Sequence, residues 1–267
     1  MTQSLPATPL RIFITGASDG IGAALARHYA NGSSATVELG LVARRGEQLA
    51  ELAAGMPKSA RCFIYPLDVT DPDALRAAAN DFIERAGLPD IVIANAGISM
   101  GTLTEEADDL RVFSRIMQVN VLGMINTFHP FVAAMRTARR GQLVGIASVT
   151  GIRGLPGAGA YCASKAAAIS YLESLRVELH GSGVTVSTIL PGYVESRITA
   201  TNPYRMPFIL PVDEGARRIA WHIGRRTSYA VMPWQMAIVV KLLRVLPNWL
   251  FDRLFAHAGR KPRQLPL

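Results

Sequence analysis

Tyr161 and Lys165 stand four positions apart in the stretch YCASK, with only Cys162, Ala163 and Ser164 between them. On a helix, residues i and i+4 lie on one face, so the Lys165 ammonium can reach the Tyr161 hydroxyl. A phenol titrates near pH ~10, and a cation a few ångströms away lowers that value, which makes Tyr161 a candidate proton donor or acceptor near neutrality. Reduction of a carbonyl needs such a proton at the oxygen that becomes negative, together with hydrogen bonds that hold that oxygen. Ser148, at the end of the apolar run QLVGIAS, precedes Tyr161 by thirteen residues and offers a hydroxyl for the second task. Taken alone, YxxxK also describes an ordinary helix with two solvated polar residues, so the surrounding elements must carry the reading.

A second chemical signal lies near the N-terminus. In ITGASDGIG, Gly16, Gly20 and Gly22 follow an apolar run and precede AALARHYA. Glycines there let the backbone turn sharply and let a diphosphate approach a helix N-terminus, where free N–H groups and the helix dipole favour negative charge. The alternative is a purely structural turn, which the position directly after a buried strand disfavours. The next apolar run ends in GLVARRGEQL, placing Arg44 and Arg45 where an acid would bind a ribose 2′-hydroxyl and an arginine would accept a 2′-phosphate. NADP(H) is therefore expected over NAD(H), although two arginines at a strand end could also be simply solvated. Asp19 in the glycine loop is expected to point away from the phosphate.

The elements that must position these residues read as alternating strands and helices. Residues 10–15, 36–43, 61–67, 90–94, 142–148, 184–190 and 228–232 read as strands, and runs such as DIVIA are nearly unbroken apolar stretches, as in strands covered on both faces. Segments rich in Ala, Leu and Arg lie between them. Repeated βα units predict a parallel α/β sheet of about seven strands with right-handed crossovers and helices on both faces. A length of 267 residues with 49% hydrophobic content suffices for one large domain. We expect that domain over 1–232, with a C-terminal apolar and basic helical extension over 233–267.

Cys62 and Cys162 are a hundred residues apart and form no ligand pattern, so no metal site and no disulfide framework are expected, and a reducing compartment fits. MTQSLPATPL lacks the basic start and apolar stretch of a secretory signal, which favours a cytoplasmic location. The net charge of +8 is unevenly placed. From Arg217 onward there are ten basic residues against the single acid Asp252, leaving 18 basic and 19 acidic residues before it. No zinc-finger, RNP-type or helix-turn-helix pattern accompanies this charge, so nucleic acid is not an expected partner.

With TGxxxGIG and YxxxK in place, the sequence resembles the short-chain dehydrogenase/reductase family, of the type often called classical, from Leu10 to about Met232. LDV at Leu67–Val69, NAG at Asn95–Gly97, VNVLG around Asn120, ASVTG containing Ser148 and PGYVES from Pro191 match in order. The resemblance implies a Rossmann-like doubly wound fold and a catalytic set of Asn120, Ser148, Tyr161 and Lys165. In it Lys165 also holds the nicotinamide ribose, and Asn120 kinks a helix and anchors a water that joins Lys165 to a proton relay. It further implies that Gly16, Ser18, Gly20, Ile21 and Gly22 surround the diphosphate, and that Asp68 and Val69 flank the adenine. Asn95, with Ala96 and Gly97, would lie beside the adenosine ribose, and Pro191, Gly192, Val194 and Ser196 along the nicotinamide. Two departures are visible: Ala94 replaces a frequent asparagine, and Ser196 stands where threonine is common but keeps the hydroxyl. Homo-oligomers are frequent in the family. Cys162, beside Tyr161 but turned about 100° away on a helix, reads as small-residue packing rather than a redox switch.

Substrate selectivity is expected from residues 98–103, 153–157 and the long lid 193–212. Met100, Leu155, Met206, Phe208, Ile209 and Leu210 point to a lipophilic carbonyl or alcohol, with Arg153, Arg197 and Arg205 as charged exceptions. The extension WQMAIVVKLLRVLPNWLFDRLF is too charged for a span and reads as two short helices meeting at Pro247. Such helices suit either an anionic membrane surface on the inner face of a membrane, aided by HAGRKPRQLPL, or contacts with the domain, the pocket or another subunit. Two further readings of the whole chain stay open: a catalytically silent nucleotide-binding regulator or membrane-associated scaffold, and an epimerase or dehydratase. The intact catalytic set disfavours the first, and the absence of a separate substrate domain the second.

Overall fold

The computed structural model describes residues 9–32 and 36–263. The N-terminal residues 1–8 and the last four residues of the basic tail, on which expectations were placed above, lie outside that range.

Strands β1 (Leu10–Thr15), β2 (Val37–Ala43), β3 (Ala60–Pro66), β4 (Ile91–Ala94), β5 (Gln142–Ile146), β6 (Thr185–Pro191) and β7 (Tyr229–Met232) form one sheet in the order β3-β2-β1-β4-β5-β6-β7. All six pairings are parallel. The chain builds outward from β1 to β3 and then crosses to β4 on the other side, so the order reverses between β1 and β4. Loops leaving the C-terminal ends of those two strands diverge there and open a crevice, the usual ligand position of such sheets. The fold is thus the parallel α/β sheet expected from the alternating pattern, in the Rossmann-like order that the family resemblance implies.

The period-two alternation of a strand sends neighbouring side chains to opposite cores. Ile12 and Ile14 of β1 pack with Leu39 and Leu41 of β2 on the face covered by α1 (Gly20–Gly32) and by α8 (Val212–Gly224). Phe13 points to the other face, where it meets Phe82 of α3 (Pro72–Ala86) at 5.6 Å and Phe131 of α5 (Gly123–Ala138) at 4.9 Å between ring centroids. Gly40 of β2 makes this possible, since a Cβ there would lie 2.5 Å from the Phe13 ring. A fully buried phenylalanine of this kind contributes roughly 1.5–3 kcal/mol relative to an exposed one.

Between β2 and β3 lies α2 (Gly46–Ala54), and between β4 and β5 α4 (Asp109–Met117) runs into α5 through a π-helical turn, Gln118–Leu122. After β5 a 3₁₀ turn, Val149–Gly151, leads toward α6 (Gly159–Glu178), which carries YCASK in its first turns. The lid contains a single short helix, α7 (Arg197–Ala200). Beyond β7 come α9 (Trp234–Val245) and α10 (Asn248–Phe255), the two short helices expected on either side of Pro247. Met236 and Val240 of α9 bury against Ala147, Val149 and Leu190. Phe251 of α10 stacks under the Arg153 guanidinium at 3.9 Å, and Arg153 also donates to the carbonyls of Leu243 and Leu246. The extension is therefore packed on the domain beside the C-terminal ends of β5 and β6. Among the described residues no helix is long and apolar enough to cross a membrane.

Candidate active site

The turn after β1 is shaped by its glycines. Gly16 has φ +68°, and a Cβ on it would lie 2.8 Å from Ala96 Cα; at Gly22 a Cβ would come within 2.2 Å of the Gly16 carbonyl oxygen. The turn can therefore sit tightly against the loop after β4 only with both glycines. Asn95 ties the two loops together, donating from Nδ2 to the carbonyls of Thr15 (3.1 Å) and Gly16 (3.2 Å). Thr15 Oγ1 accepts the N–H groups of Asn95 and Ala96 at 3.2 and 3.3 Å.

Above this joint lies a cleft of about 570 Å3. Gly16, Ser18, Gly20 and Ile21 line it from the first turn, Arg44 and Arg45 from the end of β2, and Asp68 and Val69 from the end of β3. Asn95, Ala96 and Gly97 complete the floor, and Ser196 closes it from the lid. Gly22 lies beneath the lining rather than in it. Volume and shape, the glycine turn without room for side chains, and cations at the end of β2 suit a dinucleotide.

The charge distribution in the cleft departs from one expectation. Asp19 does not point away: it lines the cleft, accepts the Gly20 N–H at 2.7 Å and faces Arg45 (3.5 Å) and Arg197 (3.8 Å). Two guanidiniums offset a charge that would otherwise repel a phosphate. Arg45 also donates to Ser18 Oγ at 2.9 and 3.2 Å, so it is already engaged. Arg44 is half exposed, and its nearest acid, Asp68, is 4.0 Å away. Asp68 is held instead by Arg115 at 2.5 Å and by the N–H and hydroxyl of Thr70, both at 2.9 Å. Its partial burial opposes the charge, but those hydrogen bonds and the Arg115 cation prevail and hold the carboxyl below its ordinary range. Arg115 was not legible in the sequence, because it reaches Asp68 across 47 residues.

The candidate catalytic residues stand beyond the Gly97 side of the cleft. Asn120 occupies the π-helical turn and is fully buried. Its Oδ1 accepts the Ile98 N–H at 2.8 Å, and its Nδ2 donates to the Ile98 carbonyl (3.0 Å) and to Ser164 Oγ (2.9 Å). Ser164 in turn donates to the Tyr161 carbonyl at 2.8 Å, so the middle of YCASK links the kinked helix to α6. Ser148 follows β5 and caps the 3₁₀ turn; its Oγ accepts the Thr150 N–H (3.3 Å) and hydroxyl (3.0 Å). Thr150, a second residue the sequence did not single out, thus leaves the Ser148 proton free to be donated elsewhere. Gly97 joins this group to the cleft, since a Cβ there would lie 3.3 Å from Asn120 Oδ1 and 3.7 Å from Lys165 Nζ.

Tyr161 and Lys165 share the helix face their spacing predicts, with Nζ 5.8 Å from the phenol ring centroid. The expected lowering of the tyrosine pKa by Lys165 is not found. Burial pushes the Tyr161 phenol up to about 12, opposed by a hydrogen bond from Ser148 and reinforced by Cys162 and Tyr204. Lys165 donates to the Ile146 carbonyl at 2.9 Å, and burial pushes it down to about 8. Removal of both groups from water outweighs their mutual attraction here, because the ammonium is directed at a carbonyl rather than at the phenol.

Pro191, Gly192 and Val194 lie outside the residues that line the cleft. Gly192 donates its N–H to Met232 at 2.7 Å, and the Val194 side chain is buried in the core against Gly215. Cys162 is buried, its sulfur accepts the Leu155 N–H at 3.4 Å, and burial raises its thiol, as packing rather than redox chemistry requires. Met100, in the loop after β4, is buried and lines the cleft; in the lid, Leu210 is buried in the core, whereas Phe208 and Ile209 are exposed. Among the described residues no group of three or more His, Cys, Asp or Glu is close enough to hold a metal ion.

Sheet order, glycine turn and cleft define a dinucleotide-binding α/β protein. Residues 11–205 match the family model for short chain dehydrogenases, and the chain belongs to the short-chain dehydrogenase/reductase family of oxidoreductases. It is 38% identical over 241 residues to an uncharacterized oxidoreductase of Myxococcus xanthus, covering 90% of this chain and 93% of that one. A short-chain dehydrogenase from Sphingobium yanoikuyae in complex with NADPH is similar in structure, with a TM-score of 0.75 and 26% identity over 97% of this chain and 98% of that one. A short chain dehydrogenase/reductase from Burkholderia phymatum in complex with NAD shares the fold, with a TM-score of 0.76 and 23% identity over 98% of this chain and all of that one.

Proposed function

We propose that this chain interconverts a carbonyl and an alcohol with NADP(H), on a lipophilic substrate, with Tyr161 as the acid or base. The observation that carries the reading is the assembly of Asn120 and Lys165 beside Gly97, at the edge of the dinucleotide cleft, with Tyr161 on the Lys165 face of α6 and Ser148 hydrogen-bonded to Tyr161. When bound, the nicotinamide supplies or accepts the hydride. Tyr161, protonated at neutral pH with its pKa near 12, gives its proton to the oxygen of a carbonyl being reduced. Ser148 donates a second hydrogen bond to that oxygen and holds it in line. Lys165 and the backbone of Pro191 and Gly192 would hold the nicotinamide end, with the Ser196 hydroxyl on the carboxamide. Asn120 fixes the loop after β4 and the first turns of α6 relative to each other. Arg44 receives the 2′-phosphate, and the Sphingobium relative's NADPH is in keeping with that assignment.

The test is oxidation of NADPH followed by absorbance with aldehydes and ketones graded from small polar to long apolar. The expected result is a kcat/KM that rises with apolar length, on the strength of Met100, which lines the cleft. A preference for small polar or phosphorylated carbonyls would contradict the lipophilic assignment, and turnover of none would favour a nucleotide-binding regulator.

The outer face of the extension supports attachment to an anionic membrane surface. Trp234, Ile238, Leu242 and Val245 form an exposed stripe along α9, continued by Trp249 and Leu254 on α10. Lys241 and Arg253 are exposed with them. Apolar and aromatic side chains edged by cations suit the boundary of a bilayer, where each basic residue adds ~1 kcal/mol. Vesicles containing phosphatidylglycerol should sediment the protein, pure phosphatidylcholine vesicles should not, and the combined W234S, L242S and W249S substitutions should abolish sedimentation. Equal binding to both vesicles would exclude an electrostatic surface. A dimer in solution that the same substitutions dissociate would assign the stripe to a second copy.

A further inference from the structure

The last described residues, 259–263, run across the mouth of the site. Lys261 is only 7% exposed, and its Nζ donates to Ser99 Oγ at 3.0 Å and to the Ile198 carbonyl at 2.7 Å. Ser99 belongs to the loop after β4 and Ile198 to α7 in the lid, and both line the cleft. The ammonium therefore bridges two walls that the sheet itself does not connect.

Contacts on either side fix the segment to each of the three stretches expected to surround the substrate. The Gly101 N–H donates to the Pro262 carbonyl at 2.9 Å, and a Cβ at Gly101 would lie 2.2 Å from the Lys261 carbonyl oxygen. Gly157, after β5, abuts the Arg260 side chain at 2.9 Å by the same measure. Gly259 abuts Tyr204 of the lid at 2.7 Å, and Tyr204 is close enough to Tyr161 to influence its titration. Arg263 pairs with Glu106 at 2.9 Å and with buried Asp109 at 2.8 Å. Asp109 also accepts the Leu103 N–H at 2.7 Å, so this pair anchors the same loop.

Burying an ammonium is unfavourable unless its protons are accepted, whereas an apolar residue would fill the space without that requirement. The lysine is thus suited to join specific acceptors rather than merely to pack. Resting on the reading of the chain as a carbonyl/alcohol oxidoreductase, we propose that residues 259–263 form a strap closing the substrate chamber, in which Lys261 is a positioning residue that holds α7 against the loop after β4.

The experiment uses the full chain and its K261M, K261R and G101A variants. G101A presses a methyl group on the Lys261 carbonyl from the opposite wall and serves as the second probe should K261M fail to fold. Two readouts are taken: amide hydrogen exchange over residues 98–103 and 196–206, and KM and kcat for the best carbonyl. In K261M and G101A, exchange in both segments should rise about tenfold, the loss expected for a charge-assisted hydrogen bond. KM should rise about tenfold with kcat within about threefold, and K261R should recover most of both effects. Unchanged exchange in 196–206 overturns the strap whether or not any carbonyl is turned over. Raised exchange with an unchanged KM overturns the positioning role. If the unsubstituted chain reduces no carbonyl, the oxidoreductase reading falls, and exchange alone decides whether the strap exists.

Discussion

Replacing Tyr161 by phenylalanine is expected to lower kcat for carbonyl reduction by about 10²–10⁴-fold, the usual contribution of a positioned acid. The substitution removes one oxygen from a buried ring and leaves its packing in place. The contacts that shape the cleft lie elsewhere, in the Asn95 bridge to Thr15 and Gly16 and in the arginines at the end of β2. NADPH affinity, measured by quenching of protein fluorescence, should therefore change by less than about threefold, since no more than one hydrogen bond is at stake. A variant as active as the unsubstituted chain would remove Tyr161 from the mechanism. The neighbouring S148A substitution should also reduce kcat, because Thr150 already donates to the Ser148 oxygen and leaves that hydroxyl its own proton to give.

The second large effect is on cofactor choice. Arg44→Ala should weaken NADPH by about tenfold or more, as expected when a charge-assisted hydrogen bond to a phosphate is lost. NADH, which lacks that phosphate, should change by less than about twofold. Arg44 is the residue singled out because its competitors are committed. Arg45 is bound to Ser18 and faces Asp19, while Arg115 neutralises Asp68, the acid nearest Arg44. Titration of both cofactors against both proteins gives the answer. A parallel loss for NADPH and NADH would mean that Arg44 shapes the adenine end in general and does not read the 2′-phosphate.

Local pattern and tertiary placement contributed differently to this reading. β1, β4 and β5 were legible because strands covered on both faces must be continuous apolar runs, and the glycine turn because only glycine tolerates the approach at Gly16 and Gly22. The break of the long helix at Asn120 agrees with the kink that family resemblance implied, and Ser164, whose bond to the Tyr161 carbonyl spans three residues, lay within a stretch already singled out. Contacts of long sequence separation were not legible. Nothing near Arg115 announces Asp68, and nothing in HAGRKPRQLPL announces that Lys261 meets Ser99, 162 residues away. The direction of the Tyr161 shift failed for a related reason: helix spacing predicts that a lysine is near, but burial and the Ile146 carbonyl decide what that lysine does.

The central claim, hydride transfer between a dinucleotide and a carbonyl at Tyr161, is tested most directly by following the label. NADPH deuterated at the nicotinamide C4, on either face in separate reactions, is incubated with the protein and the best long-chain ketone, and the alcohol product is analysed by mass spectrometry. One of the two labelled cofactors should place deuterium on the carbinol carbon, and Tyr161→Phe should suppress that product. Failure of both labels to reach carbon, across carbonyls that the protein demonstrably binds, would contradict the account.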